Sequence, residues 1–261
     1  MPKFAVDSHR GRVRTLNEDS YEAAPDIGLW LVADGVGGHE SGDVASELTR
    51  STIASCYRSA GGLVTAIEAA HHAVRSAIAN KEGGADMAST VVALAMQGGD
   101  FQIAWLGDSR AYLWNGALRL LTRDHSLVEE LVSSGEISRE ESEKHPNRHV
   151  ITRCVGMSSE SPVQVASLSG SLADGESLLL CSDGLNDAVD SATISHIMAT
   201  VTSAEERVTE LIAAALQGGG RDNVTVAVID SGASNITGRR LGALSNAKSD
   251  SVWQRFLNLF R

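Results

Sequence analysis

Three apolar runs, each about the length of a strand, meet an acidic residue at one end. Leu29-Trp-Leu-Val-Ala33 stops at Asp34-Gly35, and Ser177-Leu-Leu-Leu-Cys181 stops at Ser182-Asp183-Gly184. Asp222-Asn223 stands just before Val224-Thr-Val-Ala-Val228. Such short runs bounded by turn residues read as buried strands, and Asp-Gly is first of all a turn dipeptide. Two further stretches add carboxylates: Gly107-Asp108-Ser109-Arg110, and Arg14-Thr-Leu-Asn17-Glu18-Asp19 near the start.

The rest of the chain alternates two kinds of pattern. Apolar spacing near 3.6 predicts helices over 43–58 and 63–81, the second opening after Gly61-Gly62. Strands are expected over 89–96, 101–106, 110–114 and 117–121, separated by Gly98-Gly99, Gly107-Asp108 and Asn115-Gly116. Asn-Gly is a strong hairpin signal, so this part reads as an antiparallel meander. Residues 124–154 turn polar, with a short helix over 126–133 and then a mobile surface insert until order resumes near Val150. Strands at 163–168 and 177–181, helices at 194–201 and 204–217, and a last strand at 224–229 complete the body. Hairpin-joined strands with paired helices between them predict α+β layers rather than a parallel βαβ sheet.

With 261 residues and 43% hydrophobic content the chain can bury a sizeable core, as one domain or one domain with a tail. Cys56, Cys154 and Cys181 are odd in number, far apart and without a CxxC, which predicts a reducing, cytoplasmic setting rather than disulfides or a zinc finger. The formal charge is -11, yet residues 232–261 carry Arg239, Arg240, Lys248, Arg255 and Arg261 against Asp250 alone. Removing that +4 leaves -15 for residues 1–231, a body that repels nucleic acid and any phosphate ester unless cations intervene.

Several carboxylates gathered without basic partners repel strongly, so the economical reason to converge them is a hard cation. All-oxygen ligation favours magnesium, manganese or calcium, and the lack of a His/Cys set argues against zinc. No EF-hand loop is present. A cysteine phosphatase needs an arginine six residues after its nucleophile, where this chain has Gly62, Glu160 and Asp187. Asp34-Gly-Val-Gly37-Gly38-His-Glu40 fails the GxGxxG pattern at Glu40, and no GxxxxGK[ST] occurs, so nucleotide binding is a weak alternative.

Six ordered segments carry a specific resemblance: Arg14-x-x-Asn17-Glu18-Asp19, Val32-Ala33-Asp34-Gly35-Val36-Gly37-Gly38-His39, Ala88-Ser89-Thr90, Gly107-Asp108-Ser109-Arg110, Ser182-Asp183-Gly184-Leu185 and Arg221-Asp222-Asn223-Val224-Thr225. Their order and spacing resemble metal-dependent protein phosphatases of the 2C type, in the compact bacterial branch. The resemblance runs from about Val13 to Val228. It implies a sandwich of two antiparallel β-sheets flanked by helices, in α-β-β-α layers with a flap insert. It implies hydrolysis of phosphoserine and phosphothreonine in proteins, opposing a cognate kinase, by a hydroxide held between two Mn²⁺ or Mg²⁺ ions. By the same resemblance, Asp34 bridges the two metals while the Gly35 carbonyl and Glu18 serve one and Asp183 with Asp222 serves the other. Asp19 supports them from beside, Asp108 with Asp183 holds a third, weaker metal, and Arg14 clamps the substrate phosphate. A planar, bidentate arginine suits two phosphoryl oxygens, so Arg14→Lys is not a conservative change.

One departure concerns the proton for the leaving oxygen: many eukaryotic members have histidine after the Asp-Gly, and this chain has Val36. His39 is the candidate on its near-neutral pKa, beside a loop-packing role or a metal-bound water. His71, His72, His145 and His149 read as solvent-facing or packing residues. The expected division is a catalytic domain over 1–231, with its flap at about 134–150, and a basic tail over 232–261. Trp253, Phe256, Leu257 and Phe260 fall on one face of a short C-terminal helix that could dock on an anionic membrane, on a partner or on the acidic body. A monomer is expected. A regulatory phosphoprotein-binding module and a small-phosphoester hydrolase are the alternatives; the first would usually have lost its carboxylates, and the second finds no aromatic platform in a chain with 4% aromatic residues. Deleting residues 135–147 is expected to change peptide preference more than turnover of a small aryl phosphate, and equal loss on both substrates would count against a flap that selects substrates.

Overall fold

A strand that is apolar at every position needs cover on both faces of its sheet, and residues 29–33 obtain it. The structure, a computed structural model, describes residues 2–37, 41–157 and 163–231. In chain order the elements are β1 (Phe4–His9), β2 (Asp19–Ala24), β3 (Leu29–Val36), α1 (Gly42–Ala60), α2 (Leu63–Asn80), β4 (Ala88–Ser89), β5 (Val91–Gln97) and β6 (Asp100–Leu106). They continue with β7 (Arg110–Trp114), β8 (Leu118–Leu120), α3 (Leu127–Ser134), α4 (Arg139–Glu143), β9 (Ala166–Ser171), β10 (Ser177–Cys181), α5 (Asp183–Asn186), α6 (Ser191–Thr200), α7 (Ala204–Gln217) and β11 (Val224–Asp230).

The strands form two antiparallel sheets, ordered β1-β11-β10-β7-β8 and β2-β3-β5-β6-β9, with β4 paired to β3. Side-chain alternation then sorts the apolar runs into three layers. Leu29, Leu31 and Ala33 face outward and pack with Ile53, Ile67, Ala70 and Val74 of α1 and α2. Trp30 and Val32 face inward and meet Leu178, Leu180, Ala227 and Ile229 of the other sheet. Leu179, Cys181, Val226 and Val228 face the opposite side, under Val208, Leu211 and Ile212 of α7 and Ile194 and Met198 of α6. The expected α-β-β-α sandwich is therefore present. Among the described residues, no helix is long and apolar enough to cross a membrane.

Three expectations need correction. The segment 89–121 is not a meander, because β5 and β6 belong to one sheet while β7 pairs with β10 in the other. Gly107-Asp108 is thus a crossover between sheets, with Gly107 at φ 118 and any Cβ there 2.5 Å from Cβ of Thr90. The strand expected at 163–168 lies at Ala166–Ser171, pairing with β6 through small alternating residues. The insert holds a second helix, α4, opened by a capping box between Ser138 and Glu141. Arg139 of α4 and Arg123 both pair with the buried carboxylate of Glu129 on α3, so ion pairs anchor the flap to the body.

Because positive φ and lack of space coincide at Gly107, Gly107→Ala should destabilise the protein by about 1–3 kcal/mol. Denaturant unfolding would measure it; a change within about 0.5 kcal/mol, the ordinary range for surface positions, would mean the crossover relaxes freely.

Candidate metal centre

Strand register decides which side chains share one end of the sandwich. Arg110 of β7 lies opposite Cys181 of β10, which lies opposite Val226 of β11. Asp108 precedes β7 by two residues, Asp183 follows β10 by two, and Asp222 precedes β11 by two. All three therefore leave the same edge of one sheet. In the other sheet Asp19 opens β2 directly opposite Asp34 of β3, which places two carboxylates face to face.

Asp19 also bolts the sheets together. Its Oδ2 accepts from Ser182 Oγ at 2.8 Å, just past the end of β10, and from Thr225 Oγ1 of β11 at 2.7 Å, so both bonds reach the opposite sheet's strands. Its Oδ1 is buried without a partner, as is Oδ1 of Asp108. Asp34 is fixed through its backbone: its carbonyl accepts from Thr90 N at 2.8 Å and Ser89 Oγ at 3.1 Å. Gly35 donates its N–H to the Glu18 carbonyl at 3.1 Å, and a Cβ on it would lie 2.0 Å from the Gly42 carbonyl oxygen. Only glycine lets β3 pass this close to α1 while carrying Asp34.

Asn223 organises the loop in front. Its Oδ1 accepts from Glu18 N at 2.8 Å, and its Nδ2 donates to the carbonyls of Arg10 at 3.0 Å and Leu16 at 2.9 Å. The loop so held presents Arg14, whose guanidinium lies 2.8 Å from Asp222 Oδ2 and 4.0 Å from Glu18 Oε2. Arg14 is about half exposed, with a donor face open to solvent.

The electrostatics arise from crowding. Burial, then Asp19, Asp183, Asp108 and Asp222, raises the Asp34 carboxyl well above its usual range. Burial, then Asp108, Asp187, Asp222 and Asp19, does the same to Asp183. Asp19 is pushed up to about 6 by burial, against the hydrogen bonds from Thr225 and Ser182. Asp108 is pushed up to about 7 by burial and Asp124. Carboxylates with orphaned oxygens and acidic neighbours fit hard divalent cations, and the oxygen-only set of Asp34, Asp183, Asp222, Glu18 and the Gly35 carbonyl suits Mn²⁺ or Mg²⁺.

Of the residues expected in the site, Arg14, Glu18, Asp19, Asp34, Gly35, Asp108, Asp183 and Asp222 come together here. His39 lies outside the described residues. Val36 is exposed and apolar, with no proton to give. His149 is solvent-facing as expected, with its Nδ1 3.2 Å from Asp187 Oδ2, and His149, Asp183 and Asp187 each offer an atom within 4.8 Å of the others. No motif connects residues 38 positions apart in this way, so only the fold reveals the pair. His71 is a packing residue, accepting from Gly156 N at 3.2 Å. Beside the centre, a cavity of about 1260 Å³ opens between the flap and α5, lined by Asp108 and Asp183 together with Arg123, Arg139 and Arg148.

Raised carboxylate pKa values fix the sign of a pH effect. The folded chain binds these protons more tightly than the unfolded chain, so without metal the two groups stabilise the fold at low pH, and that contribution is lost as pH rises through about 6 and about 7, where Asp19 and Asp108 ionise. In excess chelator the melting temperature should drop by several degrees between mildly acidic and mildly alkaline buffer, and saturating Mn²⁺ should raise it most at the alkaline end. A flat profile would mean that these carboxylates do not share one field.

Comparison with known proteins agrees with this geometry. The family model "Protein phosphatase 2C" matches residues 7–217. The serine/threonine phosphatase stp of Listeria welshimeri is 36% identical over 242 residues, covering 87% of this chain and 94% of that protein. The serine/threonine protein phosphatase PstP of Mycobacterium tuberculosis is 37% identical over 238 residues, 87% of this chain and 45% of that protein. The M. tuberculosis PstP/Ppp crystal structure superposes with a TM-score of 0.80 at 35% identity, covering 88% and 98% of the two chains. The PstP catalytic domain in complex with two manganese ions gives 0.78 at 34% identity, covering 88% and 97%. By sequence, by sheet topology and by the carboxylates at one end of its sandwich, this chain belongs to the protein phosphatase 2C family.

Proposed function

We propose that this chain removes phosphate from phosphoserine and phosphothreonine side chains of proteins, with the clustered carboxylates and Arg14 in distinct roles. Metal-dependent serine/threonine protein phosphatase activity is what membership of this family means for the chain. The observation that carries the residue assignment is that Asp34 and Asp183 are crowded by other carboxylates, while Arg14 is the cation that pairs with the cluster at Asp222.

In this reading Glu18, Asp34 and the Gly35 carbonyl would hold one divalent cation, and Asp34 with Asp183 and Asp222 would hold the other. Asp108 with Asp183 suits a third, weaker ion. When bound, the divalent cations supply an activated water and the positive charge that the transferring phosphoryl group needs. Arg14 donates two N–H groups to phosphoryl oxygens, holding the ester in front of the cluster while its partner Asp222 keeps the guanidinium oriented. Asp19 keeps the two sheets, and with them Asp34 and Asp183, at a constant separation. His39 is our candidate donor of a proton to the departing serine or threonine oxygen, since Val36 cannot serve.

The cavity under the flap receives the peptide around the phosphorylated residue. The partners are then phosphoproteins and the serine/threonine kinase that modifies them, and the enzyme works as a monomer. Three unpaired cysteines, two of them buried, accord with a cytoplasmic site of action.

The direct test is hydrolysis of a phosphothreonine peptide with Mn²⁺ or Mg²⁺, with excess chelator, and by Asp34→Asn. Loss of several kcal/mol of charge stabilisation predicts a fall on the order of a hundredfold to a thousandfold in both controls. Turnover that survives chelation would remove the metal centre from the mechanism, and no turnover by folded protein in any metal would favour a phosphoprotein-binding module. Arg14→Lys keeps the charge and loses the bidentate fork, so kcat/KM should fall by about tenfold or more with the metal affinity unchanged; wild-type kinetics would show that Arg14 does not touch the phosphate.

A further inference from the structure

At the end of the sandwich away from the metal centre, a second cavity of about 850 Å³ is lined by Pro25, Ile27, Trp30, Tyr57, Met96 and Leu172. That volume lies within the roughly 300–1,000 Å³ of typical ligand clefts. Asp26 and Asp174 line it, and Asp100 at the start of β6 and Glu176 just before β10 are close in sequence to its lining residues. Arg58, the basic residue in its wall, is paired with Asp26 at 2.9 Å.

The chain itself leaves the body at this cavity. Strand β11 starts next to Asp222 and runs for seven residues, roughly 20 Å, to the far end. Ser231, which also lines the cavity, donates its N–H to the Glu176 carbonyl at 2.9 Å, and its Oγ accepts from Gly175 N at 2.9 Å. The sequence beyond Ser231 is basic, with a net charge of +4 over residues 232–261, and it carries Trp253, Phe256, Leu257 and Phe260 at helical spacing. The stretch 232–252 is rich in Gly, Ser, Asn and Ala, a composition whose r.m.s. span over that length is about 25 Å. The cavity is therefore available to the aromatic segment at a high effective concentration.

We propose that Trp253, Phe256, Leu257 and Phe260 dock into this distal cavity of their own chain, with Arg255 and Arg261 against its acidic rim. Docking there covers the apolar segment and holds the tail at the opposite end from the metal centre, so it leaves turnover unaffected. The tail is then a stowed contact element and not an inhibitor.

Hydrogen exchange of the full chain tests this, compared with a full-chain triple variant Trp253→Ala, Phe256→Ala, Phe260→Ala, which leaves the body unaltered. Amides in 25–30, 54–61 and 96–99 should exchange about tenfold or more faster in the variant, with unchanged exchange over 183–190 and unchanged turnover of a small aryl phosphate. Equal exchange in the two proteins overturns the proposal. So does faster turnover in the variant, which would place the tail at the metal centre. Protection that grows with protein concentration identifies a second copy as the occupant and overturns it too, as does an unprotected cavity in a chain whose tail partitions onto phosphatidylserine vesicles. From the other side, Ile27→Asp should free the tail to limited proteolysis while circular dichroism shows the body folded; if that variant does not fold, the tail variant decides alone.

Discussion

Carboxylates held side by side in a half-buried site repel one another, and the sandwich is built to bear that repulsion. Asp19 faces Asp34 across a strand pair, and Asp108, Asp183 and Asp222 leave one edge of the other sheet together. Relaxing the crowding would mean pulling strands apart, which the ladders on both sides and the three apolar layers oppose. The hydrogen bonds from Ser182 and Thr225 to Asp19 close the gap between the sheets at the very point where the charges meet. A rigid, electrostatically unfavourable arrangement is what makes a divalent cation welcome there.

Charge is organised differently at the flap. Burial works against ionisation of Glu129, yet Arg139 and Arg123 hold its carboxyl below the usual range, so this acid is a structural anchor. At the other end of the insert, His149 meets Asp187 one turn beyond Asp183. The flap is thus held at one end by the Glu129 ion pairs and at the other by the His149–Asp187 contact, and between them it forms one wall of the cavity next to the carboxylate cluster.

The sequence was most legible where one residue type has one physical use. Apolar runs ending at Asp34 and Asp183 marked strand ends, and helices over 204–217 and about 63–80 were readable from their period. β1 and β2 escaped notice because both are only partly buried and lack a continuous apolar run. The Gly107-Asp108 crossover resembles any hairpin turn, since a local signal for a bend says nothing about which sheet the chain enters next. Asn223 was visible as part of a motif, but its bonds to Arg10, Leu16 and Glu18 join residues some two hundred positions away. Contacts of that kind are written only in the fold.

The position of Asn223 has a consequence for how such an enzyme can diversify. One amide side chain, adjacent in sequence to Asp222, holds the loop that presents Arg14 and fixes the backbone of Glu18. Arg14 and the carboxylate cluster are consequently a single mechanical part, and neither can be retuned without disturbing the other. New specificity has to be acquired outside that part, in the flap wall or at the remote end of the body, which leaves the hydrolytic machinery a fixed cassette carried among interchangeable surroundings.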